Sequence, residues 1–201
     1  MATFLLIRHA AHDLLGRAIA GRIAGVSLNP EGQAQAERLA EWLARLPITA
    51  IYSSPLERAR ETALPLAGRL RLQIRIAPEL DEIDFGEWTG RTFPELAAIP
   101  RWDRFNSFRS GTRIPGGELM LEAQVRIVGL IERLREDHPG GLVALVSHGD
   151  VIKAALLYYL GAPLDLFMRL EISPASVSEI EVSEYGPRVL RVNDTVSSPG
   201  D

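Results

Sequence analysis

The chain has 201 residues, 46% hydrophobic and 24% charged, with a formal net charge of −4. That length favours one domain with room for a sizeable core, and the composition is that of a globular chain. Having no cysteine excludes disulfides, thiolate metal sites and a cysteine nucleophile, and an acidic balance with no basic stripe argues against a nucleic-acid partner.

The apolar opening at 3–7 is too short for a signal-peptide core. The longest later apolar stretch, 142–160, is interrupted by His148, Asp150 and Lys153, which makes it a poor membrane span. The reading is a soluble, cytoplasmic protein with no membrane partner. Lys153 is the only lysine. Arginine suits bidentate phosphate recognition, but its excess alone says nothing about phosphate.

In chain order, 3–7 reads as a buried strand that stops abruptly at Arg8-His9. Residues 10–30 are rich in Gly and Ala and read as a loop returning over a site. Helical spacing predicts a helix over 31–46, ended by Pro47. A strand follows at 49–53. Ser54-Pro55-Leu56-Glu57 then has the pattern of a serine-capped helix start, and that helix runs to about residue 70. A third strand is expected at 72–77, and 78–89 is irregular and carries several carboxylates. A short helix is expected at 92–98. The Arg-rich, aromatic stretch 101–117 reads as the body of an inserted loop or lid around 91–117. A long amphipathic helix spans 118–137, a strand 142–147 and a helix 150–160. Strands or hairpins are expected near 169–172, 176–182 and 188–192, and 195–201 reads as a frayed tail.

Strands alternating with helices predict an α/β fold, a three-layer αβα sandwich whose mostly parallel sheet is covered on both faces. The whole chain, 1–201, is expected to be one domain. Ligands of such sheets bind beyond the carboxyl ends of the strands. Arg8-His9 and His148 each follow an apolar strand directly.

Those residue types suit phosphoryl transfer. His9 can be a nucleophile if a ring nitrogen is unprotonated, and neighbouring cations favour that state. Arg8, and Arg58 in the first turn of its helix, can hold phosphoryl oxygens. His148, followed by Gly149, can add another contact. The leaving oxygen needs a proton, and a carboxylate in the apolar frame around Leu80–Trp88 can supply it. Glu82, Asp81, Asp84 and Glu87 all compete there. No histidine pair has metal-ligand spacing, so no metal is expected.

These motifs fall in one order along the chain: Leu6-Ile7-Arg8-His9, Gly21-Arg22, Leu28-Asn29-Pro30-Glu31-Gly32, Ser53-Ser54-Pro55-Leu56-Glu57-Arg58-Ala59, Leu80-Asp81-Glu82, Phe85-Gly86-Glu87-Trp88-Thr89-Gly90 and Val146-Ser147-His148-Gly149. In that order they resemble the histidine phosphatase superfamily. The resemblance implies a phosphohistidine at His9, with Arg8, Arg58 and His148 completing the pocket. It selects Glu82 as the acid/base, and it puts Arg22 on the substrate side. It implies no cofactor and a small phosphorylated substrate. The resemblance puts Ser54 near the pocket, but its capping role explains it sufficiently.

The chain departs from the family after His9, reading Ala10-Ala11-His12-Asp13. His12 is therefore a candidate substrate contact, and Arg101, Arg104, Arg109 and Arg113 a candidate cationic lid. The expected activity is metal-independent phosphomonoester hydrolysis. A phosphoglycerate-type mutase and a non-catalytic phospho-ligand binder are the alternatives. The last strands offer an edge for a homodimer.

Overall fold

The structure is a computed structural model that describes residues 1–195. Most of the expected tail lies outside them. A six-stranded sheet runs in the order β3-β2-β4-β1-β5-β6. Its strands are β1 (Ala2–Arg8), β2 (Ile48–Ser53), β3 (Ile74–Ile76), β4 (Leu142–Ser147), β5 (Val177–Ser183) and β6 (Gly186–Asp194). β1 to β4 pair in parallel, and β5 and β6 join as an antiparallel hairpin. β6 is one edge of the sheet.

Alternation along β1 explains the layers. Phe4 and Leu6 point to one face, Leu5 and Ile7 to the other, and all four are buried. On the Leu5/Ile7 face lie α1 (Pro30–Leu43) and α2 (Glu57–Leu70), through Leu39, Leu43, Ala63 and Leu66. On the Phe4/Leu6 face lie α5 (Met120–Asp137) and α6 (Gly149–Tyr159), through Ile127, Ile131, Ile152 and Leu156. Each Leu and Ile among them contributes about 1.5–3 kcal/mol by leaving water. The expected αβα sandwich, with a mostly parallel sheet covered on both faces, is the observed fold. Among the described residues no helix is long and apolar enough to cross a membrane.

Three local expectations are corrected. The 101–117 stretch is not wholly loop, because α4 (Pro100–Ser107) follows α3 (Phe93–Ala97) within it. Trp102 and Phe105 of α4 pack edge-on against Trp88, at 5.4 and 5.3 Å between ring centroids, in a core that includes Ile114 and Met120. No strand forms at 169–172. A 3-10 turn occupies Leu164–Arg169, and the carbonyl of Ile172 is taken by the Arg8 guanidinium. Ser54 does not cap α2, which starts at Glu57 with no side-chain cap. The Ser54 amide donates to Val146 O at 2.9 Å, so the residue still belongs to the sheet's ladder and its hydroxyl turns inward.

The polar loops are tied to this frame by close backbone approach. Asn29 Oδ1 accepts from Gly32 N at 2.8 Å and caps α1, with Pro30 in its first turn. A Cβ at Gly32 would lie 2.0 Å from Ala11 O, so only glycine lets α1 start against the loop after His9.

Candidate active site

The register of β1 and β4 builds the site. Arg8 pairs with Ser147, so the next residues, His9 and His148, leave the sheet side by side. His9 N donates to Ser147 O at 2.9 Å, and the two imidazole centroids are 5.1 Å apart.

The His9 tautomer follows from its partner. Nδ1 lies 2.8 Å from Ala10 O. A carbonyl only accepts, so Nδ1 carries the hydrogen and the lone pair sits on Nε2. Burial, then the charges of Arg58 and Arg8, hold the His9 pKa well below its ordinary value. The ring is neutral at pH 7 with Nε2 open.

His148 is fully buried, and its tautomer follows the same way. Arg58 Nη2, which can only donate, lies 3.2 Å from His148 Nδ1. Nδ1 therefore accepts, and Nε2–H donates to Ser54 Oγ at 2.8 Å. Ser54 Oγ donates onward to Asp81 Oδ1 at 3.3 Å. Burial, then His9 and Arg58, lower the His148 pKa well below its ordinary value.

Two arginines converge on the histidines. Arg58, in the first turn of α2, is buried and donates from Nη2 to Gly21 O at 2.8 Å. Its Nε and Nη1 have no partner, and neither does Arg8 Nε. Buried guanidinium donors left open are costly unless an acceptor enters. A Cβ at Gly149 would lie 3.2 Å from Arg8 Nε, so that glycine makes room for the Arg8 guanidinium.

Glu82 faces this group. Its Oε1 accepts from Ile83 N at 2.9 Å, and its Oε2 is 3.8 Å from His148 Nδ1. Burial, then the negative charge of Asp150, raise its pKa to about 7 against the opposing pull of Arg58. It can therefore give or take a proton near neutrality. Of the four competing carboxylates, the structure puts Glu82 on the cavity wall with Arg8, His9 and Arg58. Asp81 holds Ser54 and the Glu82 amide. Asp84 accepts from Gly86 N. The cavity measures about 320 Å³.

The other sequence-derived candidates divide. His12 lines the cavity, with its ring centroid 5.1 Å from that of His9. Arg22 is off the cavity wall. Its guanidinium bonds Glu82 O at 2.8 Å and Glu118 Oε2 at 3.0 Å, so two acceptors behind Glu82 already occupy it. Among the four arginines of the expected lid, Arg109 alone lines the cavity. It is paired with Asp150 at 3.0 Å and lies over the rings of Phe105 and Phe167, 4.3 and 3.9 Å from their centroids. Arg113 pairs with Glu122, and Arg101 bonds Arg113 O. Of the expected cationic lid, the one arginine that faces the cavity, Arg109, is thus held in an ion pair that locks the insert to α6.

The sequence did not signal Ser54 as a contact of His148, nor Asp150 as the charge acting on Glu82. The position of Asp150, directly after His148-Gly149, was the available sign. Among the described residues no three His, Asp or Glu side chains are grouped to hold a metal ion.

Several known proteins share this architecture. The chain is 31% identical over 200 residues to phosphoserine phosphatase 1 of Hydrogenobacter thermophilus, covering 97% of this chain and 93% of that one. The solved structure of YhfR from Bacillus stearothermophilus superposes with a TM-score of 0.91 at 28% identity, over 98% of both chains. A phosphoserine phosphatase variant from Entamoeba histolytica, solved in complex with phosphoserine, superposes with a TM-score of 0.86 at 26% identity, over 96% of this chain and 97% of that one. The family model of the histidine phosphatase superfamily (branch 1) matches residues 4–195, and the chain belongs to that superfamily.

Proposed function

We propose that the protein hydrolyses small phosphomonoesters through a phosphohistidine at His9, with Glu82 as general acid and then general base. The observation that carries this reading is the His9 Nδ1 bond to Ala10 O, which leaves a lone pair on Nε2 inside a ring of open guanidinium donors.

In the first step Nε2 attacks phosphorus, the nitrogen–phosphorus bond forms, and the ester oxygen–phosphorus bond breaks. Arg8 and Arg58 hold the negative charge on the equatorial oxygens. His148 takes a proton from solvent at Nδ1 as that charge arrives, its contact with Arg58 giving way, adds a third donor, and returns the proton to solvent when phosphate leaves. Protonated Glu82 gives its proton to the leaving alcohol. In the second step ionised Glu82 takes a proton from water as the water oxygen attacks phosphorus. The nitrogen–phosphorus bond then breaks, releasing phosphate and regenerating His9. Ser54 and Asp81 keep His148 oriented. The relatives named as phosphoserine phosphatases, one of them solved with phosphoserine, support a small phosphorylated metabolite as the substrate class.

The test is release of para-nitrophenol from para-nitrophenyl phosphate by the wild type and His9→Ala, both in EDTA. Turnover that survives EDTA and vanishes with His9→Ala is expected. Equal turnover by the two proteins would overturn the assignment of His9. No turnover by either, with interconversion of phosphoglycerates, would favour the mutase.

A further inference from the structure

The ring of His12 occupies a position that the phosphoryl chemistry above does not use. It sits three residues after the nucleophile, is 5% exposed, and lines the same cavity. His9 therefore has an imidazole on each side, His148 and His12, each 5.1 Å away between centroids. Unlike His148, which is bonded through both ring nitrogens, His12 leaves Nδ1 buried with no hydrogen-bond partner. Buried polar atoms in native folds are almost always paired, so an orphan beside open arginine donors points to a group that arrives with the ligand. The loop is fixed in this pose: Leu15 N donates to His12 O at 3.1 Å, and Ala11 N donates to Gln35 Oε1 at 2.9 Å.

We propose that His12 is a further anion-binding residue of this site, taking up one proton from solvent when a phosphate dianion enters and presenting an N–H to it. The inference rests on the reading of the cavity as a phosphoryl site.

The charges around His12 give the reason for the proton. Arg58 from α2 and Arg8 from the end of β1 face it, Asp13 comes from its own loop, and neutral His9 lies beside it. Burial, then Arg58, then Arg8, lower the His12 pKa to about 4, so the ring is neutral at pH 7 while the cavity lacks an anion. Two negative charges arriving between these arginines offset the two guanidinium charges that hold the ring neutral. The imidazole then gains a favourable partner for its charged form, and anion binding is coupled to proton uptake.

The chain has only four histidines, so each ring can be followed individually in the full-length protein. We would label histidine with nitrogen-15 and record ring spectra at pH 7 while adding inorganic phosphate, assigning His12 by its loss in His12→Gln. His138, whose ring is bonded to the Tyr52 hydroxyl at 3.0 Å, is the internal reference. The expected result is that His12 passes from the neutral to the doubly protonated pattern as phosphate saturates. His12→Gln should weaken inhibition by inorganic phosphate about tenfold, the worth of one charge-assisted hydrogen bond, and His12→Arg should restore it. A His12 that stays neutral while His148 responds overturns the inference and leaves the phosphatase reading intact. No response from His9, His12 or His148 overturns both.

Discussion

Glu82→Gln should make the protein more stable at alkaline pH while removing most of its activity. The Glu82 carboxyl holds its proton up to about pH 7, against an ordinary value of 4.5. Its side chain is 13% exposed, so solvent screening is slight. Each tenfold in proton affinity is worth ~1.36 kcal/mol, so the ionised carboxylate costs the fold about 3 kcal/mol once the pH is above 7. Below pH 4.5 the folded and unfolded forms both carry the proton and there is no cost. Between 4.5 and 7 only the folded form carries it, so wild-type stability falls as pH rises. Above 7 the cost is constant. Glutamine keeps an oxygen to accept from Ile83 N and has no charge to desolvate. The measurement is thermal unfolding of both proteins from pH 5 to 8.5. The gap should open by roughly 6–12 °C in favour of the variant, since ~1 kcal/mol moves a chain of this size by about 2–4 °C. Turnover should fall by about 10²–10⁴-fold, the usual worth of a general acid. Melting curves separated by the same amount at every pH would refute the burial argument.

Asp150→Asn removes the second cause of the raised Glu82 pKa, so Glu82 should lose its proton at lower pH. The alkaline limb of the kcat/KM profile should then shift downward, and an unmoved limb would show that Asp150 does not act on Glu82. Arg109→Met strips Asp150 of its partner, and we expect a loss of about 3 kcal/mol in denaturant unfolding; Arg113→Ala, at an exposed pair, should leave unfolding and KM unchanged. Ser54→Ala leaves the buried Nε2–H of His148 without an acceptor, costing about 1–3 kcal/mol, and should lower kcat more than it raises KM. Gly32→Ala drives a methyl into Ala11 O and should destabilise by at least about 1–3 kcal/mol, raising KM through the displaced His12 loop.

The placement of the site was legible wherever it coincided with a strong local signal. Arg8, His9 and His148 stand at the ends of short apolar strands, where an abrupt change from apolar to charged is informative by itself. Glu82 was not separable from Asp81 by spacing, because burial decides between them and burial depends on the whole fold. It took the family resemblance to single it out. Ser54 shows the opposite failure. Its capping pattern is locally sound, yet the residue stays in the sheet's ladder by bonding Val146, and α2 starts three residues later. Arg109 reads as one cation among four in a polar stretch. Its pairing with Asp150 joins segments 41 residues apart, which no window of sequence contains. Within that same stretch Trp102 and Phe105 made a helix where the Gly and Pro content suggested loop, because tertiary packing on Trp88 outweighs weak local propensity.

The strand order has a consequence for biosynthesis. β4 lies between β1 and β2, so the first two strands of this sheet in chain order never pair with each other. They must wait, with their inner edges open, for a strand encoded at residues 142–147. Contacts of such long sequence separation form slowly, and open edges recruit other chains in the meantime. His9 is synthesised at the end of β1, but it gains the partner on its flank, His148, only once β4 and the residue after it have been made. Nascent chains of this protein therefore carry His9 without its pocket, and chaperone occupancy during translation should persist until β4 has emerged.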